Sequence, residues 1–179
     1  GWHGRAFVLP LETLGVAGER IVYQTAGPVE NQYRQHGTLE GWRGRIAALC
    51  AGNTRLVFAV SCAFAGPLLR PAGVESGGFH FRGESSNGKT TALRVAASVF
   101  GGPTYMRRWR GTDNGVEVVA PKYCDSLLIL DELQQIDPKT AGECAYMLAN
   151  EGPKMRATQA VQARPSLTWR LLFLSSGRS

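Results

Sequence analysis

Apolar residues occur along the chain in short runs, and three of these runs predict strands. Leu127–Leu130 is entirely apolar, and Leu167–Leu174 contains Trp169 together with several large aliphatic and aromatic side chains. Runs of this length with little alternation are typical of strands that are buried on both faces, as in a parallel sheet. The shorter run Gly78–Phe81 is predicted to be a further buried strand of the same sheet.

Helical periodicity and end signals predict helices between and around these strands. The longer ones are a helix that begins after Thr38, one from Asn53 to near Gly66–Pro67, the segment Thr91–Phe100, and one from Asp137 to near Asn150. A short helix is predicted after Thr112–Asn114 and up to Pro121. The first of the longer helices has apolar residues on one face: Leu39, Trp42, Ile46, Leu49 and Cys50.

The order of these elements predicts the fold class and a domain division. Two strand-like runs, Ala6–Leu9 and Ile21–Gln24, predict a small hairpin ahead of the first helices. After them, strands alternate with helices, which is typical of a three-layer α/β fold with a mostly parallel sheet. We therefore expect an N-terminal hairpin and helical lead-in over residues 1–72, and a core over residues 73–179 that stops before its last sheet strand.

A phosphate-binding loop is predicted between the strand Gly78–Phe81 and the helix that follows it. The sequence Gly83–Thr90 reads Gly, four residues, Gly-Lys-Thr, and glycine lets backbone N–H groups converge on an anion. The helix N-terminus adds partial positive charge there. Lys89 is expected to reach the β- and γ-phosphates, and Thr90 to bind Mg²⁺. The residues expected to contact nucleotide are Gly83, Glu84, Ser85, Ser86, Asn87, Gly88, Lys89, Thr90 and Thr91.

Two carboxylates follow the apolar run Leu127–Leu130 and predict a metal site. Asp131 and Glu132 stand where a buried parallel strand would end, and open α/β sheets bind ligands at the carboxyl ends of their strands. Asp131 is expected to hold Mg²⁺, and Glu132 to orient or deprotonate a water that attacks the nucleotide. In isolation, the same residues also fit a strand that ends in a solvated acidic turn.

The charge balance indicates an anionic partner in addition to a nucleotide. The 20 Lys and Arg residues exceed the 14 Asp and Glu residues, giving a net charge of +6 and a pI near 9.5. The segment Tyr105–Arg110 interleaves three arginines with Trp109. That cluster fits a nucleic-acid contact in which a base stacks on Trp109. It also fits a strand end with solvated arginines and a packed indole.

Cysteine spacing and hydropathy favour a cytoplasmic protein. The four cysteines are far apart, with no Cys-x-x-Cys and no His at metal-ligand spacing, so we expect reduced core residues. No signal peptide is recognisable. The longest apolar run, Leu56–Leu69, spans 14 residues, fewer than the ~20 that cross a bilayer. We therefore expect no membrane segment.

Together, the phosphate loop and the carboxylate-tipped strand resemble those of the P-loop NTPases, whose core is RecA/AAA+-like, and the motif order resembles that of ring-forming replicative helicases. Further runs are similar to the bacterial and phage family catalogued as domain of unknown function nine-two-seven, which is described as a helicase of mobile elements. The runs that carry this resemblance are Gly77–Gly83, Ser85–Ser86, Gly88–Thr91, Ala97–Val99, Leu130–Glu132, Tyr146–Asn150 and Trp169–Leu172.

The resemblance implies an ATP-dependent DNA helicase or translocase, Mg²⁺-dependent and assembled as a ring, that acts in DNA replication or on a mobile element. In such ring motors a polar residue after the last core strand senses the γ-phosphate, and here Ser175 and Ser176 occupy that place. In related viral-type helicases the preceding segment forms a hairpin that grips DNA. Lys154, Arg156 and Arg164 are therefore candidate contacts to single-stranded DNA, and a solvated loop is the alternative.

Three other functions fit the same motifs. An ATPase that loads or remodels replication or transposition proteins would need the same nucleotide site without unwinding DNA. An inactivated derivative would use the fold only as a nucleotide-binding or oligomerisation module, although intact Lys89, Thr90, Asp131 and Glu132 argue against it. A small-molecule kinase would share the phosphate loop, but the acidic pair on a buried strand and the basic segment favour a motor.

Overall fold

The computed structural model describes residues 1–16, 18–23, 28–109, 113–133, 137–152 and 168–177. Its centre is a four-stranded parallel sheet in the order β4-β7-β6-β5. The strands are β4 (Gly77–Arg82), β5 (Arg107–Arg108), β6 (Ser126–Asp131) and β7 (Leu171–Gly177). The chain therefore runs from one edge of the sheet to the other before it fills the middle, which creates a crevice at the carboxyl ends of the strands.

Helices cover both faces of this sheet, which confirms the three-layer α/β class. The helix α3 (Thr54–Ala65) packs against α4 (Lys89–Ala97), and both contact β6 and β7, whereas α6 (Pro138–Ala149) packs on β4 and β7. A shorter helix, α5 (Asp113–Val119), contacts α6. The predicted caps are confirmed for α3 and α6, since Asn53 Oδ1 accepts from Leu56 N and Asp137 Oδ2 accepts from Thr140 N.

The two central strands are the core of the molecule. Every residue of β6 and of β7 is buried, as the unalternating apolar runs predict. By contrast, β4 is partly exposed along its length, and 47% of the surface of Phe79 is exposed to solvent. The prediction of a buried strand at Gly78–Phe81 is wrong in this respect because β4 forms an edge of the described sheet and has a neighbour on one side only.

The N-terminal region contains a three-stranded antiparallel sheet, β1 (Trp2–His3), β2 (Ala6–Val8) and β3 (Thr13–Gly15). The predicted strand at Ala6–Leu9 is confirmed. The predicted second strand is wrong, because residues 21–23 are not in a strand and β3 pairs with β2 instead. Leu9 N donates to Glu12 O at 2.8 Å, and this shorter turn closes the hairpin with a smaller loss of chain entropy.

The helix after Thr38 departs from the predicted apolar face. It comprises α1 (Leu39–Trp42), a π-helical segment (Arg43–Ala47) and α2 (Ala48–Cys50). A π-helical turn adds a residue, so residues beyond it rotate away from the face that a 3.6-residue period predicts. Leu49, which follows the π-helical segment, is consequently 74% exposed, whereas Cys50 is buried. Leu39, which precedes this segment, is also 63% exposed, so the predicted apolar face is wrong at its first position as well.

Two polar networks join the N-terminal region and the helices to the sheet. Asp125, just before β6, accepts hydrogen bonds from Trp2 N at 2.9 Å and Arg70 Nε at 2.8 Å. Glu151, just after α6, accepts from Ser76 N and Arg170 Nε. The domain boundary at residue 72 stays a prediction. Among the described residues, no helix is both long and apolar enough to cross a membrane.

Candidate functional site

The predicted phosphate loop lies between β4 and α4, as expected from the sequence. Gly88 is the N-cap of α4 and has φ of 85°, in the left-handed region that glycine adopts most easily. Ser86 also has a positive φ, of 63°. The backbone therefore turns sharply before α4, and the first turn of that helix, which begins at Lys89, faces the crevice at the carboxyl ends of the strands.

Lys89 is held by the loop that it follows. Its Nζ donates to Gly83 O at 2.7 Å, to Asn87 Oδ1 at 3.0 Å, and to Glu84 O. All three acceptors belong to the predicted phosphate loop, and none of them is a carboxylate. The ammonium group is thus positioned by neutral oxygens, and its positive charge stays available to an anion that binds at the loop.

Asp131 is the last residue of β6 and lies beside the phosphate loop, at the carboxyl ends of the strands. Only 9% of its surface is exposed. Its Oδ1 accepts hydrogen bonds from the Ser176 hydroxyl and from Glu132 N, the latter at 3.0 Å. Within the described part of the chain, none of the ion pairs includes Asp131. A carboxylate that is largely buried without a cationic partner is costly, and a bound cation would relieve that cost.

Glu132 follows in the left-handed backbone region, with φ of 64°. Its Oε2 lies 3.6 Å from Arg108 Nε, on the neighbouring strand β5. From the sequence, Arg108 is expected to contact nucleic acid or to be a solvated arginine at a strand end. The pairing of β5 with β6, which sets Arg108 opposite Asp131, is the reason that it reaches the acidic pair, and this pairing has no local sequence signal.

A cavity of about 310 Å³ lies between the phosphate loop and the acidic strand end. It brings together most of the residues predicted for the nucleotide site. Those that line it are Ser85, Ser86, Gly88, Lys89, Thr90, Thr91, Asp131, Glu132 and Ser176. Of the other predicted residues, Gly83, Glu84 and Asn87 contact Lys89 instead.

The two candidate sensor serines have different surroundings, because successive residues of a strand point to opposite faces. Ser176 lines the cavity and bonds Asp131, whereas Ser175 bonds Nδ1 of His80 at 2.8 Å and does not line the cavity. Burial lowers the pKa of His80, and the nearby charges of Arg82 and Lys89 lower it further. Ser176 is thus the better placed of the two serines to meet a ligand.

The donor set of this cavity fits a magnesium ion. Thr90 contributes a hydroxyl and Asp131 a carboxylate, and Mg²⁺ prefers oxygen ligands from one or two protein groups, with water and phosphate oxygens completing its shell. Lys89 and the N-terminus of α4 fit phosphate. These residues could therefore hold a Mg²⁺–nucleoside triphosphate.

The candidate nucleic-acid residues have mixed positions. Lys154, Arg156 and Arg164 lie outside the residues that the structure describes. Trp109 is 2% exposed, so its indole offers no surface for stacking a base, and the alternative of a packed indole is confirmed. Arg107 Nε donates to the Tyr123 hydroxyl at 3.0 Å.

Comparisons with known proteins agree with this architecture. The model of a family described as Domain of unknown function (DUF927) matches residues 1–167. Among matching solved structures is one named "SCCmec type IV Cch - active helicase", with a TM-score of 0.66 and 23% identity. The match covers 97% of this chain but 34% of that one, so the chain spans about a third of that protein. No curated protein sequence matches the chain.

Proposed function

The chain belongs to the DUF927 family, and we propose that it is the ATP-hydrolysing motor domain of a DNA helicase or translocase. The observation that carries this proposal is the single cavity shared by Lys89, Thr90, Asp131, Glu132 and Ser176. A phosphate loop alone would fit any nucleotide-binding protein. A phosphate loop that faces two carboxylates and a hydroxyl across one cavity fits hydrolysis.

In this proposal the phosphate loop binds the triphosphate through its N–H groups, while Lys89 exchanges loop carbonyls for β- and γ-phosphate oxygens. Thr90 and Asp131 hold Mg²⁺, which would neutralise charge that develops on the phosphate oxygens. Ser176 keeps the Asp131 carboxylate oriented through its hydrogen bond. These groups act by position and charge, as expected for phosphoryl transfer.

Glu132 acts as the residue that orients the attacking water and accepts its proton. Its carboxylate lines the cavity beside Asp131 without belonging to the proposed magnesium ligands. Arg108, 3.6 Å away, restricts where that carboxylate can lie. An oriented general base contributes about 10²–10⁴-fold to a rate, so the arrangement accounts for hydrolysis rather than binding alone.

The DNA partner and the ring are supported by weaker observations. The net charge of +6 favours an anionic partner, and the matching structure of similar fold is named as a helicase. An arginine finger from a neighbouring subunit would complete the site in a ring. We propose that the motor acts on single-stranded DNA and that it self-associates into a ring.

The test is ATP hydrolysis by the longest available protein that contains this domain, with and without single-stranded DNA. We expect DNA to stimulate hydrolysis. Lys89→Ala should abolish turnover and weaken ATP binding, whereas Glu132→Gln should retain binding and lower turnover by about 10²–10⁴-fold. Glu40→Gln, at the exposed start of α1, serves as a matched control that should keep full turnover.

The outcomes separate the candidate functions. Stimulation by DNA supports the motor. Hydrolysis that DNA leaves unchanged favours an ATPase that remodels protein complexes. If Glu132→Gln keeps its activity, the assignment of Glu132 as the water-orienting residue is wrong. ATP binding without hydrolysis in the unmodified protein would favour a nucleotide-binding module.

A further inference from the structure

A second cavity, of about 220 Å³, is lined by Asn87, Gly88 and Lys89 of the phosphate loop. It shares Gly88, Lys89 and Thr91 with the cavity that contains the acidic pair. Its remaining walls come from Asn87 of the loop, the start of α3, the end of β4 and Ala92 of α4. The two cavities therefore adjoin each other at the phosphate loop and the first turn of α4.

The walls of the second cavity combine an apolar surface with polar side chains. Leu56 and Phe81 are partly buried, and Ala92 is 3% exposed. Arg55 and Arg82, both exposed, lie at its margin. Ligand pockets typically pair apolar walls with a few polar groups that fix orientation. This cavity thus suits a flat, partly apolar group with polar edges, rather than a second phosphate.

We infer that the second cavity binds the base of the nucleoside triphosphate whose phosphates lie in the first. The inference rests on the proposed function, since it assigns the remaining part of the same ligand. With the γ-phosphate directed to Asp131 and Glu132, the nucleoside must leave the loop on another side. Thr91, which lines both cavities, stands between the two parts of the ligand.

The lead-in helix α3 gains a role through this inference. Leu56 and Phe81 supply apolar surface for a base, and Asn53 and Arg55 supply polar groups at the same cavity. Asn53 Oδ1 is engaged as the cap of α3, which holds the start of this helix in place beside the loop. The base site is therefore built by a segment that precedes the phosphate loop by about 30 residues.

The experiment compares ATP with inorganic tripolyphosphate, which has no base, by calorimetric titration of the whole chain in Mg²⁺. We expect the unmodified chain to bind ATP more tightly than tripolyphosphate. Leu56→Trp fills the cavity and should weaken ATP binding by about tenfold, the scale of one stacked base. The same variant should leave the affinity for tripolyphosphate unchanged.

The matched control is Val57→Trp, one residue further along α3, where the side chain is 46% exposed and does not line the cavity. It should leave both affinities unchanged. If Leu56→Trp does not fold, Leu56→Asn, which keeps the branching at Cγ but replaces the apolar methyl groups with a polar amide, should still weaken ATP binding selectively.

The outcomes distinguish this inference from the proposed function. Selective loss of ATP binding in the Leu56 variants supports the base site. Equal binding of ATP and tripolyphosphate by the unmodified chain, or ATP binding that the Leu56 variants leave intact, overturns the base site and leaves the phosphate site standing. Failure of both ligands to bind the unmodified chain overturns the proposed function and the base site together.

Discussion

Two aspartates stand at opposite ends of β6, and their surroundings differ. Asp125, before the strand, is 1% exposed and accepts from the Arg70 guanidinium and from Trp2 N. Asp131, at the end of the strand, is 9% exposed and accepts from Ser176 and from Glu132 N. One carboxylate is neutralised by a cation of this chain, and the other is held by neutral donors beside a cavity.

The difference separates a buried charge that is neutralised within the chain from one that is not paired with a cation among the described residues. A buried carboxylate needs a positive partner or good hydrogen bonds. Asp125 has both within the chain, and it ties the N-terminal sheet to the strand. Asp131 has hydrogen bonds alone among the described residues, so its charge can still be matched by a cation that arrives with the ligand.

The largest expected effect is that of Asp131→Asn on ATP hydrolysis. The amide keeps the shape of the side chain but lacks the charge that we propose as a ligand of Mg²⁺, so turnover should fall roughly a thousandfold. Stability should stay equal or rise, because the substitution removes an unneutralised carboxylate. Steady-state hydrolysis and thermal unfolding of the same preparation measure both. If Asp131→Asn retained turnover, or if it lost much stability, the proposed difference between the two aspartates would be wrong.

Asp125→Asn should give the opposite pattern. The free energy of unfolding should fall by about 1.5–3 kcal/mol, the range for hydrogen bonds to charged groups. Turnover per folded molecule should stay unchanged. Chemical denaturation measures the first and hydrolysis the second. A double-mutant cycle with Arg70→Ala isolates the pairwise contribution, and the comparison fails if Asp125→Asn lowers turnover while the protein stays equally stable.

The smallest expected effect compares the neighbouring serines of β7. Ser176→Ala removes the hydroxyl that orients Asp131 and should lower turnover by about tenfold, as for groups that orient metal ligands. Ser175→Ala removes the bond to His80 and should change turnover by less than about twofold. Hydrolysis rates at saturating Mg²⁺ and ATP decide between them. Equal effects would mean that Ser175 also acts on the site.

The sequence predicted the elements whose signals are local. The phosphate loop follows from glycine and lysine at fixed positions, and β6 follows from a run that is apolar on both faces. The polar side chains at the carboxyl ends of neighbouring parallel strands could then be assigned to one edge of the sheet. Fold class and the composition of the candidate site were therefore accessible from the sequence.

Features that depend on the pairing of strands, or on an extra residue within a helical turn, could not be predicted from the sequence. The contact of Arg108 with Glu132 depends on the pairing of β5 with β6. The exposure of Leu49 depends on a π-helical segment that no periodic pattern marks. The choice between Ser175 and Ser176 depends on which face each occupies, and two adjacent hydroxyl residues carry no alternation.

The close approach of Gly78 to Phe173 bears on how reliably β7 finds its position. A strand that is apolar on both faces can slip by one residue without exposing apolar surface, so its pattern specifies register weakly. Gly78 lies opposite Phe173, and a Cβ there would stand 2.3 Å from the Phe173 ring. The ring therefore packs where the glycine has no side chain, and this packing favours the observed register of β7 against β4. Through its effect on the register of β7, Gly78, which does not line the cavity, helps determine which serine reaches Asp131.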